Sequence, residues 1–184
     1  MSPKDLNTVR ELLTVYERRS TCKRLQVAAV LTKDGRVIAS GWNGVPHGLC
    51  HCEDHFAGVD EETMLREHGD FSTNNEIHAE CNCLSFAARH GIATDGTDLA
   101  CTYSPCLPCA KQIIASGVAH VYYKIEYDRD AGAGLQLLHK AGVSTTKLTR
   151  PSNNPYAMSP EDAHRVMLNA GIIDKAGNLT ANFK

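Results

Sequence analysis

Asp98–Ile125 reads DLACTYSPCLPCAKQIIASGVAHVYYKI, and this stretch decides the fold. Asp98–Tyr103 is a strand-like run. Residues 106–116, CLPCAKQIIAS, form a helical segment that stops at Gly117. Ala119–Ile125, AHVYYKI, is a second strand. Strand, helix and strand in this order make a crossover unit, whose two strands lie parallel. Cys106 and Cys109 fall in the first turn of that helix, three residues apart and so on one face. A helix start carries partial positive charge, which favours thiolate over thiol. Two metal-grade sulfurs therefore stand at the C-terminal edge of a strand.

Towards the N-terminus, residues 79–90 (AECNCLSFAARH) read as another helix, preceded by His78 and closed by Gly91. His78-Ala79-Glu80 adds an imidazole and a carboxylate to the two sulfurs. His78, Cys106 and Cys109 fill three tetrahedral positions on zinc, and water takes the fourth, with its pKa lowered to about 7. Glu80 stays off the metal, free to take a proton from that water and hand it on. His-x-Glu followed by Pro-Cys-x-x-Cys is the known spacing of zinc enzymes that deaminate nucleobases. A competing reading closes the site with Cys81 or Cys83 as a fourth ligand and makes the metal purely structural. That reading leaves Glu80 without a role.

The flanking segments complete the pattern. Residues 5–19 read as an amphipathic helix, Gln26–Thr32 as a strand, Lys33-Asp34-Gly35-Arg36 as a hairpin turn and Val37–Trp42 as the returning strand. Residues 43–76 read as a long irregular segment rich in Gly, His and Cys, of a length that implies a function or a staple of its own. After the crossover unit come a helix at 132–141 and a strand at 143–148. The order implies an α/β fold: a mixed five-stranded sheet with helices on both faces, its last three strands parallel. Residues 150–158 (RPSNNPYAM) are a linker by composition. Ser159 as N-cap and Pro160 at the first position open a further helix, closed by Gly171. Residues 1–150 thus form one domain, and 151–184 a C-terminal helical extension suited to packing or oligomer contact.

Composition narrows the function. The 184 residues carry a net charge of −2 with no basic block, so a large nucleic-acid footprint is not indicated. No apolar run has membrane length, and no secretory signal is visible. The 8 cysteines, with Cys-x-x-Cys beside His-x-Glu, fit metal binding in a reducing cytoplasm better than disulfides. Cys81, Cys83 and Cys101 read as small buried apolar residues.

QVAAVLTKDGRVIASGWNGVP, NEIHAECN and TYSPCLPCAKQIIASGVAHVYYKIEYD together give the chain its resemblance to the deoxycytidylate (dCMP) deaminases, particularly those of bacteriophages. The resemblance spans roughly residues 8–148. It implies the cytidine deaminase-like three-layer α/β/α fold. It also implies zinc-dependent hydrolysis of dCMP to dUMP and ammonia, a supply for thymidylate synthesis. Glu80 is carried over as the catalytic acid and base. Asn43, the Ala79 amide, the Ser104 carbonyl and Tyr127 are carried over as contacts to the nucleotide. Trp42, Ala28, Cys81 and Cys83 depart from the commoner family pattern, which puts pocket shape rather than chemistry in question.

The long segment and its surroundings hold Cys22, Cys50, His51, Cys52, His55 and His68, a dense set of metal donors. By position in the resemblance, a second and structural zinc takes Cys22, Cys52, His68 and Glu76, with Cys50 as the alternative to Cys52. The resemblance further implies a homo-oligomer, a hexamer, activated by dCTP and inhibited by dTTP. The effector site would lie near Gly41–Pro46, with Gly44 at its centre and Mg2+ accompanying bound dCTP. Lys23, Arg24, Arg89 and Lys111 are the basic residues available for phosphates, and dCTP remains open as a substrate. Other readings are a deaminase of a nucleoside, tRNA or single-stranded DNA, and a non-catalytic zinc module that binds a partner.

Overall fold

The computed structural model describes residues 1–127, 131–149, 160–174, 177–178 and 180. Its core is a five-stranded sheet in the order β2-β1-β3-β4-β5. The strands are β1 (Ala28–Lys33), β2 (Arg36–Trp42), β3 (Asp98–Tyr103), β4 (His120–Ile125) and β5 (Ser144–Lys147). β1 pairs antiparallel with both β2 and β3, whereas β3, β4 and β5 run parallel. The β1–β2 hairpin turns tightly because Asp34 and Gly35 both take positive φ, +50° and +74°.

Alternation along the strands sorts the core into two layers. Ala28 and Val30 of β1, Ala100 of β3 and Tyr122 of β4 meet Val9 and Leu13 of α1 (Pro3–Glu17). On the other face, Ala29, Leu31, Leu99, Cys101 and Val121 pack against α4 (Ala79–Arg89), α5 (Leu107–Ala115) and α6 (Ala133–Lys140). Helices therefore cover both faces, as the element order implied. α1 starts earlier than its apolar periodicity suggests because Ser2 and Asp5 form a capping box. Trp42 ties the end of this helix to β2, with the Tyr16 ring stacked at 6.3 Å and the Arg19 guanidinium 4.6 Å from its centroid.

The segment 43–76 is not irregular. It holds a short helix, α2 (Cys52–His55), and a 15-residue helix, α3 (Glu61–Asn75), capped by the Asp60 side chain. Hydrophobic periodicity misses α3 because its buried positions are Met64 and His68, so half of the buried pair is polar. Cys22, Cys52, Phe56 and Met64 make a small apolar cluster of their own there.

The chain divides into two compact units, Met1–Thr149 and Arg150–Lys184. In the second, α7 (Pro160–Asn169) ends at Gly171, whose φ is +68°, and Ile173 is buried. The expected linker and the Ser159 cap lie outside the described residues. No helix among the described residues is long and apolar enough to cross a membrane.

Candidate active site

α4 and α5 lie on the same face of the sheet, and their starts meet. His78 is the N-cap of α4 and Cys106 the N-cap of α5, both with extended backbone and neither using its side chain to cap. Those two side chains therefore remain available as ligands. Pro105 and Pro108 fix the chain around Cys106, and Cys109 occupies the first turn of α5. The Nδ1 atom of His78 is 3.3 Å from Sγ of Cys106 and 3.3 Å from Sγ of Cys109. All three donors lie within 4.8 Å of one another. Tetrahedral zinc with Zn–S near 2.3 Å and Zn–N near 2.0 Å sets donor separations of about 3.5–3.8 Å, so the cluster is a few tenths of an ångström from that spacing.

The electrostatics tell the same story. A hydrogen bond from Cys109 pulls the Cys106 thiol down to about 4, against the burial that raises it. The Cys106 sulfur pushes His78 up to about 9, and the Cys106 contact pushes Cys109 up. Negative charge and shared protons thus gather where a divalent cation would neutralise three donors at once. Glu80 is in the first turn of α4 and only 5% exposed, and burial raises its carboxyl.

Cys83 and Cys101 are fully buried, as expected of small apolar residues, but Cys81 is not. It is partly exposed, with its Sγ 3.6 Å from that of Cys109. It stands outside the mutual set of three donors, and so does Cys83. The sequence could not place Cys81, because one helical turn separates it from His78 and its neighbour across the gap belongs to another helix.

Around this cluster the structure brings some of the expected nucleotide contacts together. The Ser104 hydroxyl accepts a 2.8 Å hydrogen bond from the Tyr127 amide, which joins the ends of β3 and β4. The Ala79 amide opens α4 and has no intrahelical acceptor. Asn43 is buried with both side-chain atoms engaged: Oδ1 accepts from the Val27 amide and Nδ2 donates to the Leu25 carbonyl, each at 2.8 Å. Gly44 forms a bridge with Ile77, the residue before His78, through hydrogen bonds of 3.2 and 2.9 Å. The Gly41–Pro46 run therefore anchors the entry to α4. Gly41 is needed for the close approach, since a Cβ there would run into the backbone of Ala79 and Cys83. Of the basic residues, Lys23 donates to the Phe56 carbonyl at 3.1 Å, Arg24 and Lys111 are exposed, and Arg89 ends α4 on the side away from His78.

A second donor cluster lies apart from the first. Cys22, Cys52, His68 and Glu76 have ligand atoms within 4.8 Å of one another. Cys22 Sγ is 3.1 Å from Nε2 of His68. Burial pushes the Cys22 thiol up to about 12 and raises that of Cys52. Glu76 accepts a 2.7 Å hydrogen bond from Ser72 on one carboxylate oxygen, while the other, Oε1, is buried without a hydrogen-bond partner. Such an orphaned oxygen beside two thiols and an imidazole fits a cation. Cys50 is exposed, with its thiol towards the His51 carbonyl, and is not part of the set. His51 faces Thr21, and the His55 ring stacks on Phe71.

Residues 2–125 match the family model for the cytidine and deoxycytidylate deaminase zinc-binding region, and the chain belongs to this family. Deoxycytidylate deaminase of Enterobacteria phage T4 is 30% identical over 177 residues, covering 80% of this chain and 92% of that protein. ComE operon protein 2 of Bacillus subtilis is 36% identical over 130 residues, 71% of this chain and 64% of the relative. Among solved structures, dCMP deaminase of cyanophage S-TIM5 in complex with dCMP and dUMP is 32% identical. It matches with a TM-score of 0.66 over 80% of this chain and 98% of that one. The mixed five-stranded sheet with flanking helices described above matches that structure's fold.

Proposed function

We propose that this protein hydrolyses dCMP to dUMP and ammonia at the starts of α4 and α5. The observation that carries the reading is the mutual cluster of His78, Cys106 and Cys109 with buried Glu80 in the same turn. His78, Cys106 and Cys109 would hold zinc, which when bound supplies Lewis acidity and a water of pKa about 7. Glu80 takes one proton from the attacking water and gives it to the ring nitrogen, then takes the second from the added hydroxyl and gives it to the amino group, which leaves as ammonia. The C–O bond forms first at C4 of the pyrimidine as the ring nitrogen is protonated, and the exocyclic C–N bond breaks afterwards as the carbonyl forms. The Ala79 amide meets O2, the Ser104 carbonyl meets the amino group, and Tyr127 packs against the ring. Asn43 positions the chain before β1; contact with the sugar would use its remaining amide hydrogen and lone pair.

The buried cluster of Cys22, Cys52, His68 and Glu76 would hold a second, structural zinc that staples α3 to the chain before β1. From the resemblance we add a cytoplasmic homohexamer, with dCTP as activator, accompanied by Mg2+, and dTTP as inhibitor near Gly44. Residues 1–150 would carry this activity, and 151–184 would pack or make an oligomer contact. Steady-state kinetics on dCMP, dCTP and deoxycytidine, each with and without dCTP and dTTP, test the reading. dCMP should be the preferred substrate and give a sigmoidal saturation curve. Absence of ammonia release from all three would leave a zinc-binding module.

A further inference from the structure

Cys81 is a thiol beside the open cluster that the catalytic reading leaves unused. It sits on the first turn of α4, partly exposed, and its Sγ touches that of Cys109 at 3.6 Å. When Cys109 serves a metal as thiolate, Cys81 is the donor in this contact. With zinc bound, Cys106 and Cys109 would share their sulfur lone pairs with the metal, whereas Cys81 would keep its own. Cys109 is buried, so a small oxidant from solvent meets Cys81 first.

We propose that Cys81 is an oxidation site whose product is a Cys81–Cys109 disulfide, and that forming it releases zinc from the open site. This rests on Cys109 being a ligand of that zinc. The oxidant is a peroxide. The Cys81 sulfur attacks one oxygen of hydrogen peroxide and the O–O bond breaks. One oxygen stays on sulfur as sulfenic acid, and the other leaves as water with the thiol proton. The Cys109 sulfur then attacks the Cys81 sulfur. An S–S bond forms, the S–O bond breaks, and the departing hydroxide takes a proton from solvent. Two thiols lose two electrons in total and peroxide becomes two waters. The sulfurs must close by about 1.5 Å to reach a bonded separation near 2.05 Å. Thiolate rather than disulfide sulfur is the metal ligand, so one of three donors is lost. A second thiol exchange restores it.

The test uses the full-length, zinc-loaded protein treated with hydrogen peroxide. Mass spectrometry of the digest reads the cross-link, a chromogenic chelator reads released zinc, and circular dichroism reads the fold. A Cys81–Cys109 link should accumulate together with one released zinc per chain, and dithiothreitol plus zinc should reverse both. Cys81→Ser should keep its zinc and its dCMP turnover before oxidation and release zinc at least about tenfold more slowly. Oxidised wild-type protein with Cys81 unlinked overturns the proposal and needs no variant. So does Cys81→Ser that loses zinc at the wild-type rate. The zinc content of reduced Cys109→Ser reads the ligand assignment separately. Loss of one zinc there supports the assignment; full zinc overturns it, and the switch with it, whether or not the cross-link forms.

Discussion

The cluster at the helix starts offers one imidazole and two thiols; the cluster beneath α3 offers the same three groups and a carboxylate. Their settings differ more than their donors. His78 reaches solvent, and the first set stops at three. Cys22, Cys52 and His68 are buried in an apolar pocket with Phe56 and Met64, and the second set is complete. Three donors beside solvent leave a coordination position for a reacting water, while four in a pocket leave none. On the proposed reading of both sets, donor identity does not separate chemistry from stapling. Count and access do.

Five variants probe that contrast. Glu80→Ala should lower dCMP turnover at least about 100-fold with zinc content unchanged by elemental analysis. Near-normal turnover would remove the catalytic half of the comparison. Replacing Cys22 and Cys52 together by Ser should remove one zinc per chain and lower the melting temperature by roughly 10 °C or more. Replacing Cys106 and Cys109 by Ser should abolish turnover with a shift of only a few degrees, so equal shifts in the two double variants would erase the distinction. Gly41→Ala forces a methyl against α4 and should cost about 1–3 kcal/mol in urea denaturation. The buried zinc should stay in place in that variant, and loss of both metals would mean the clusters share one support. Ser72→Ala removes the hydrogen bond to Glu76 and should weaken the buried zinc about tenfold in chelator competition, with turnover unchanged. Unaltered affinity would mean the carboxylate is oriented by its surroundings rather than by Ser72.

Much of this was legible in the residues. The 98–125 run carries the parallel half of the sheet, because strand and helix periods alternate there without interruption. His78, Cys106 and Cys109 were legible because ligand spacing and helix stops coincide. α3 was not, since a helix whose buried face includes a metal donor lacks the apolar stripe that periodicity detects. Gly41 and Gly44 were visible as turn residues, but their use depends on what lies across the gap: α4 for one and Ile77 for the other. The resemblance implies a nucleotide contact for Asn43, and the structure adds that its amide hydrogen-bonds the backbone at 25 and 27. That second role depends on where the chain before β1 lies, which one residue cannot disclose.

The two clusters also differ in where their donors fall along the chain. Every donor of the buried set precedes residue 77, before β3, β4 and β5 begin at Asp98. The open set waits for Cys109, and its His78-to-Cys106 contact closes 28 residues across the whole of α4 and β3. Synthesis runs from the N-terminus, at about 5–20 residues per second. The donors of the proposed structural zinc therefore leave the ribosome seconds ahead of Cys109, so metal that is scarce during translation would meet the buried set first.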